Sequence, residues 1–447
     1  MKKITRIILS IVVGWFLLGN IVVALFFGGS IGNLVGIVIA IVIYFATAPK
    51  KEPPVPIDDT KFKEYCATLN STAMHNLIIS GGDVAGRFLA ITGILNVASV
   101  KRIPTIVLHS GFDPFHQFSQ NTYYDPCIGK ESEEIAEIFT DAASNALAID
   151  SVIHSSIKLI ADILQAENGD ITLNDIIRFP YDDVLGHLDE CKDNGSISDE
   201  QYGKLKQRYN NPAIKDNMLR IAPLFQKLRT LARKNSTSQP VNFQQSVANR
   251  QILFFDLLSD TNAVLKELVF SEINKLTETH KFWVVTEGIS FMENSESNVN
   301  AVLAKNRNNI SLFYSGEDVP ALASQTENIF HTLVSGNTKL LLFAHTSAVS
   351  AEKWSGHFGK ENVEKITTGR NVGWRDTTDT RSTTTEKDYA FPPQVFMKSV
   401  QTRDTNNNTV VLGLNDNQGY FIERQELSFL PIIQLQPTPL MLEKQAI

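Results

Sequence analysis

Cysteine is scarce in this chain, with three in 447 residues, at Cys66, Cys127 and Cys191. They are odd in number, far apart and without a Cys-x-x-Cys pair, so the sequence indicates neither a disulfide framework nor a zinc site. Basic charge is not in excess either: 41 Lys and Arg stand against 48 Asp and Glu, a formal net charge of −7. That balance argues against a protein that coats nucleic acid through bulk charge. The densest basic positions are Lys204, Lys206 and Arg208, then Lys227, Arg229, Arg233 and Lys234. They are interleaved with apolar residues at helical spacing and read as a solvated helix face. His109, His116, His154, His345 and His357 show no ligand spacing and no Cys or Ser partner in a nucleophile motif. Trp283 and Trp354 read as core or interface anchors, and no internal repeat or heptad run is present.

Charge is also missing from a long stretch near the start. Ile7 to Phe27 is almost wholly apolar, and after the uncharged Gly28 to Asn33 a second apolar run extends to Ala48. Two such runs so close together read as a transmembrane helical hairpin, assigned to residues 1–52. Lys2, Lys3 and Arg6 also suit the basic start of a signal peptide. The apolar region is too long for one, no small-x-small cleavage site follows, and a second span comes next. Lys50 and Lys51 follow the second span and the connecting turn has no basic residue, so both ends are expected in the cytoplasm.

What remains reads as α/β. After a stiff linker over Glu52 to Asp59, short apolar runs at Leu77–Ser80 and Thr105–Leu108 alternate with helical spacing. From Glu131 to Asn235 the spacing is helical throughout, as in Ile153, Ile157, Ile160, Ile163 and Leu164. Strand signals return at Ile252–Leu258, Phe282–Val285, Ile310–Tyr314 and Lys339–Phe343, separated by helical stretches at Thr261–Thr277 and Ser324–Val334. Continuous apolar runs between helices predict a buried parallel sheet. The Thr-rich tract Asp376 to Lys387 is expected as a mobile loop, and Thr409–Leu414 with Gln418–Ile422 as a terminal hairpin turning at Asn415.

The segment Gly81-Gly-Asp-Val-Ala-Gly86-Arg87-Phe88 has the glycine spacing of a phosphate-binding P-loop. The spacing alone recurs by chance about once or twice in a chain of this glycine content, so its place after a predicted strand and before a predicted helix carries the reading. A working P-loop continues with Lys, which reaches the terminal phosphates, and Ser or Thr, which ligates magnesium. Here those positions hold Arg87 and Phe88. Arg keeps the positive charge but spreads it over a bulkier planar fork. The partner element of such a site is an apolar strand ending in Asp and then Glu, the Asp for the metal shell and the Glu for the attacking water. The corresponding strand, Phe282 to Val285, ends in Thr286 and Glu287. Both groups that would hold magnesium are therefore replaced, while Glu287 remains.

The order of these features resembles the type IV coupling proteins, the membrane-anchored, RecA-like ring motors of bacterial conjugation and type IV secretion. The resemblance spans nearly the whole chain. It rests on the two-span start, the P-loop position at Gly81 to Phe88, the Tyr123-Tyr124-Asp125-Pro126 run, the helical insertion and the strand with Glu287. The stretch Asn298 to Leu303 through Asn309 to Phe313 is similar to the family's helix and sensor strand. His109-Ser110-Gly111 stands where the family has an Asp-Pro-Lys-Gly type turn, Ser315-Gly316 where it has a Gln, and Arg307 matches a family Arg only loosely.

The resemblance implies a RecA-like P-loop parallel sheet over residues 53–130 and 236–447 with an all-α inserted domain over 131–235. It also implies a multi-pass protein of the bacterial inner membrane with its soluble part in the cytoplasm. The altered positions imply a pseudo-ATPase serving the conjugation or type IV secretion machinery in docking or assembly, in a homo- or hetero-oligomeric ring. The insertion would meet a relaxase or effector cargo, and DNA is a further candidate partner. The alternative is an active ATP-driven DNA or protein motor with Arg87 in place of Lys, Glu287 as general base, and Asp83 or Asp113 helping to hold magnesium. A membrane scaffold unrelated to secretion is a third reading, because fold does not fix function.

Overall fold

The computed structural model describes residues 60–119, 122–148, 151–226, 228, 239–257, 262–304, 309–323, 327–336, 338–372, 377–397, 402–403, 410–411, 418–422 and 432–435. The expected membrane hairpin, the linker to Asp59, Lys227, Arg229, Arg233, Lys234 and Arg307 lie outside them. Among the described residues no helix is long and apolar enough to cross a membrane.

Six apolar runs form the parallel part of the sheet: β1 (Asn76–Ser80), β2 (Thr105–His109), β5 (Ile252–Asp256), β6 (Phe282–Glu287), β7 (Ile310–Gly316) and β8 (Thr338–Leu342). A small separate pair, β3 (Thr122–Tyr124) and β4 (Gln239–Val241), lies between β2 and β5 in the chain. The spatial order is β8-β1-β7-β6-β2-β5, all neighbours parallel. These strands are apolar without alternation because both faces are covered. Ile78, Ile106, Val284, Leu312 and Leu340 enter one core, and their neighbours Leu77, Val107, Val285, Phe313 and Leu341 enter the other.

The second core is closed by α1 (Thr60–Thr68), α2 (Val84–Val100) and Phe115 of α3 (Asp113–Ser119). On the first face lie α4 (Ser132–Leu147) and α5 (His154–Asn168), then α6 (Leu173–Arg178), α7 (Val184–Asp193), α8 (Asp199–Tyr209) and α9 (Pro212–Gln226). No strand interrupts α4 to α9 among the described residues. This run leaves after β3 and returns at β4, and those two strands pair side by side, Thr122 to Gln239. Its apolar stripe, including Ile135 and Phe139 of α4 and Ile157 and Ile160 of α5, joins the same core as the sheet. There α4 packs against α11 (Ala263–Thr277), which follows α10 (Phe243–Ala248). Then α12 (Asn298–Leu303), α13 (Val319–Leu322), α14 (Glu327–Val334) and α15 (Ala348–Phe358) complete the helices. Trp283 and Trp354 are both fully buried, as core anchors. On α8, Lys204 pairs with Glu200, Lys206 with Asp189 and Arg208 with Asp162, so this basic cluster is answered locally.

Two expectations near the end of the chain are corrected. The Thr-rich tract is no loop: Thr377–Tyr389 is strand β10, paired antiparallel with β9 (Lys360–Val372) from Thr377–Val372 to Tyr389–Lys360. Thr is polar yet β-branched, and its stiff Cβ favours extended backbone. The terminal hairpin is also wired differently. β12 (Val410–Val411) pairs with β11 (Thr402–Arg403). β13 (Gln418–Ile422) instead joins β8 antiparallel and is flanked by β14 (Ile432–Gln434). The turn at Asn415 lies outside the described residues. Strand β8 would otherwise end the sheet with an open edge, and β13 covers it while sending Tyr420 and Phe421 to opposite cores.

Candidate functional site

The carboxyl ends of the parallel strands put Ser80, Gly316, Glu287, His109 and Asp256 in one row, because Ser80 aligns with Gly316, and His109 with both Glu287 and Asp256. In open α/β sheets this is the edge where ligands bind. The glycine motif sits at its middle, between β1 and α2.

Gly81 and Gly82 have φ of +86° and +69°. A Cβ on Gly81 would lie 2.6 Å from the Phe343 carbonyl oxygen, so glycine is required there by close approach as well as by dihedral. Their N–H groups are already engaged: Gly81 N donates to Gly316 O at 3.2 Å and Gly82 N to Ala344 O at 2.8 Å. Helix α2 then begins at Val84, inside the motif. Asp83 is its N-cap, and the Asp83 carboxylate accepts from Gly86 N at 3.0 Å. The negative charge that a helix N-terminus attracts is thus supplied by the chain itself.

Arg87 falls on the buried face of the first turns of α2. Its Nε donates to Glu287 Oε1 at 2.8 Å and its Nη1 to Gly82 O at 2.9 Å. The charged residues of these two segments therefore neutralise each other, with side-chain exposures of 6% and 4%. Burial pushes the Glu287 carboxyl above its ordinary range, and the neighbouring guanidinium pulls it back. Phe88 is half-buried and packs on Phe115, with ring centroids 5.8 Å apart. Thr286 is fully buried and its hydroxyl has no hydrogen-bond partner among the described residues. Asp113 is exposed at the start of α3. The structure thus brings Gly81, Gly86, Arg87 and Glu287 together, and turns Phe88 toward the hydrophobic side of α2.

Two histidines join this edge through contacts that the sequence does not signal. His109 Nε2 lies 3.2 Å from Ser119 Oγ, and its Nδ1 lies 3.7 Å from Asp256 Oδ1. This resembles a Ser-His-Asp set, but the proton is in the wrong place. Phe112 N donates to Nδ1 at 3.2 Å, so Nδ1 is the acceptor and Nε2 carries the hydrogen toward Ser119. His345 Nε2 accepts from Trp354 Nε1 at 3.1 Å and meets Ser80 Oγ at 2.8 Å, tying β1 to α15 behind the glycines. Burial lowers both imidazoles to about 4, so they are neutral.

A mostly parallel sheet with helices on both faces and a glycine turn after its central strand is an open α/β architecture, the class that includes RecA-like folds. No family model matches the chain, and no curated protein matches it. Among solved structures the chain is similar to the bacterial conjugative coupling protein TrwBdeltaN70 in its unbound monoclinic form, with TM-score 0.50 and 11% identity over 85% of this chain and 91% of that one. The same coupling protein in complex with the non-hydrolysable GTP analogue GDPNP matches with TM-score 0.50 and 11% identity over 85% and 92%. VirB4 of Thermoanaerobacter pseudethanolicus aligns over 83% and 92% at 11% identity and TM-score 0.45. At this identity the likeness is one of fold, and the fold is coupling-protein-like.

Proposed function

We propose that this chain is a membrane-anchored, coupling-protein-like component of a conjugation or type IV secretion apparatus. In this reading its nucleotide place is closed and it acts in cargo docking or assembly. One observation carries the proposal: the donors that would hold phosphate are used internally, Gly86 N by Asp83 and Arg87 by Glu287 and Gly82. An anionic oxygen brought to about 4 Å from the Asp83 carboxylate would meet a repulsion of about 4 kcal/mol per unit charge at an effective dielectric of about 20. A P-loop works in the opposite way, offering unpaired N–H groups to the phosphate.

The hairpin of residues 1–52 would anchor the chain in the inner membrane with residues 53–447 in the cytoplasm. The helical segment of 131–235, inserted into the ATPase-like part, would face a relaxase or effector, in a ring built from this chain or shared with an intact homologue. The full-length protein in detergent, titrated with a fluorescent ATP analogue and magnesium and assayed for hydrolysis in the same samples, tests this reading. Neither binding nor turnover is expected. Turnover abolished by Glu287→Gln would overturn the proposal and make the chain a motor with an unorthodox P-loop. DNA-stimulated turnover would do the same.

A further inference from the structure

Glu167, His187 and Cys191 converge between two helices of the run that joins β3 to β4. Glu167 lies in the last turn of α5, where the helix dipole favours a cation. His187 and Cys191 lie four residues apart on α7 and so share one face. Glu167 Oε2 is 3.2 Å from His187 Nε2, and Cys191 Sγ is 3.7 Å from that same nitrogen. All three ligand atoms lie within 4.8 Å of one another. Cys191 is buried, while His187 and Glu167 have side-chain exposures of 18% and 24%, enough for an ion to enter.

A hydrogen-bond account of this cluster is incomplete. One ring nitrogen can donate to the carboxylate or accept from the thiol, but not both. A cation between the three atoms serves all of them. Zinc bonds of about 2.0–2.1 Å to N and O and about 2.3 Å to S give tetrahedral edges of about 3.3 Å for N to O and about 3.6 Å for N to S. The two observed separations fall close to these values. The His187 ring is held in place by Phe179, edge-on at 5.4 Å between centroids.

We propose that Glu167, His187 and Cys191 form a three-ligand site for a divalent, borderline-soft metal ion, with zinc the best match, that clamps α5 to α7. The thiol loses its proton to solvent on binding. Thiolate and carboxylate then balance the two positive charges, and neutral imidazole completes the set. Three protein ligands leave a fourth tetrahedral position for water. The thiolate and imidazole select against magnesium and calcium. The site lies outside the glycine turn and stands whether or not the chain binds nucleotide.

The full-length protein, stripped with a chelator under reducing conditions, would be titrated with Co²⁺ and then competed with Zn²⁺. One equivalent per chain is expected, with a thiolate-to-cobalt charge-transfer band and tetrahedral ligand-field bands. Cys191→Ser should abolish the charge-transfer band, and His187→Gln and Glu167→Gln should each weaken zinc binding by at least about 10–100-fold. Glu167→Gln retains a hydrogen-bond acceptor at a partly exposed position, so its loss of affinity reports on ligation and not on unfolding. Cys66→Ser should leave the titration unchanged. No stoichiometric uptake, uptake without the charge-transfer band, or unaltered affinity in the three ligand variants would overturn the site.

Discussion

Glu287→Gln removes one charge from a pair whose side chains are 6% and 4% exposed, and leaves the Arg87 guanidinium facing a neutral amide. Breaking a buried pair from one side typically costs about 3–5 kcal/mol, because the surviving charge stays desolvated. Gln keeps the shape and one acceptor, and Arg87 keeps the Gly82 carbonyl, so the lower end applies, about 3 kcal/mol. Arg87→Met strands the carboxylate instead. Burial already raises that carboxyl, and without the cation it rises further, so it can escape the penalty by binding a proton. A carboxyl raised in the folded state lowers stability as pH climbs through its folded value. The Arg87→Met cost should therefore grow from acid to alkaline pH, reaching about 4 kcal/mol. The double variant Arg87→Met/Glu287→Gln removes both charges and should return to within about 1 kcal/mol of the more stable single variant or better, a coupling of at least about 3 kcal/mol at alkaline pH. Urea unfolding of the full-length protein in detergent, followed by tryptophan fluorescence at pH 5 and pH 8, supplies the cycle. Single costs that simply add, within about 0.5 kcal/mol, would refute a closed and mutually dependent pair.

Asp83→Asn keeps the cap hydrogen bond and removes its charge. It should change stability by less than about 1 kcal/mol yet strengthen sulfate or phosphate protection in thermal melts, and an unchanged anion response would count against self-occupancy of the helix end. His109 and His345, held at about 4 against an ordinary 6.5, bind protons more weakly folded than unfolded, so each contributes stability above pH 6.5 that is lost toward pH 4, about 3 kcal/mol apiece. Asp125, pushed up to about 6 by burial against bonds from Cys127 N and Leu173 N, acts in the opposite sense between pH 4 and 6. The three together predict a net loss of about 3 kcal/mol from pH 6.5 to 4, and His345→Gln should flatten the curve measured by chemical unfolding. Arg102 and Arg250 follow the ends of α2 and α10 with φ of +50° and +56°, where glycine is the usual residue. Either one changed to Gly should raise stability by about 0.5–1 kcal/mol, read as a higher melting temperature.

The parallel sheet was legible because its signal is local: six apolar runs, each fully covered, with helical spacing between them. The helical run from α4 to α9 was legible for the same reason. What failed was local signal of the wrong kind. By polarity the Thr-rich tract Asp376 to Lys387 reads as a loop, whereas its β-branched residues suit the extended backbone of strand Thr377–Tyr389. Sequence proximity favours a hairpin at Asn415, while β13 has a longer-range partner in β8. At the glycine turn the residue types were visible but their pairing was not. Nothing near Arg87 announces that it meets Glu287, 200 residues away, or that Asp83 starts the helix early. Glu167, His187 and Cys191 were invisible for a related reason, since their spacing becomes that of a ligand set only after α5 and α7 pack.

The early start of α2 also sets how hard the loop would be to reopen. Val84, Ala85 and Gly86 rise along the helix by about 4.5 Å, where three extended residues would span about 10 Å. A loop able to wrap a phosphate would need that missing length. Changing Arg87 to Lys and Phe88 to Thr would restore the letters of the motif and leave the turn as short as before. The N-cap, the first helical turn and the Gly82 contact with Ala344 would all have to be undone together, and each is stabilising on its own. The arrangement therefore works as a ratchet: every single step toward an open loop is uphill.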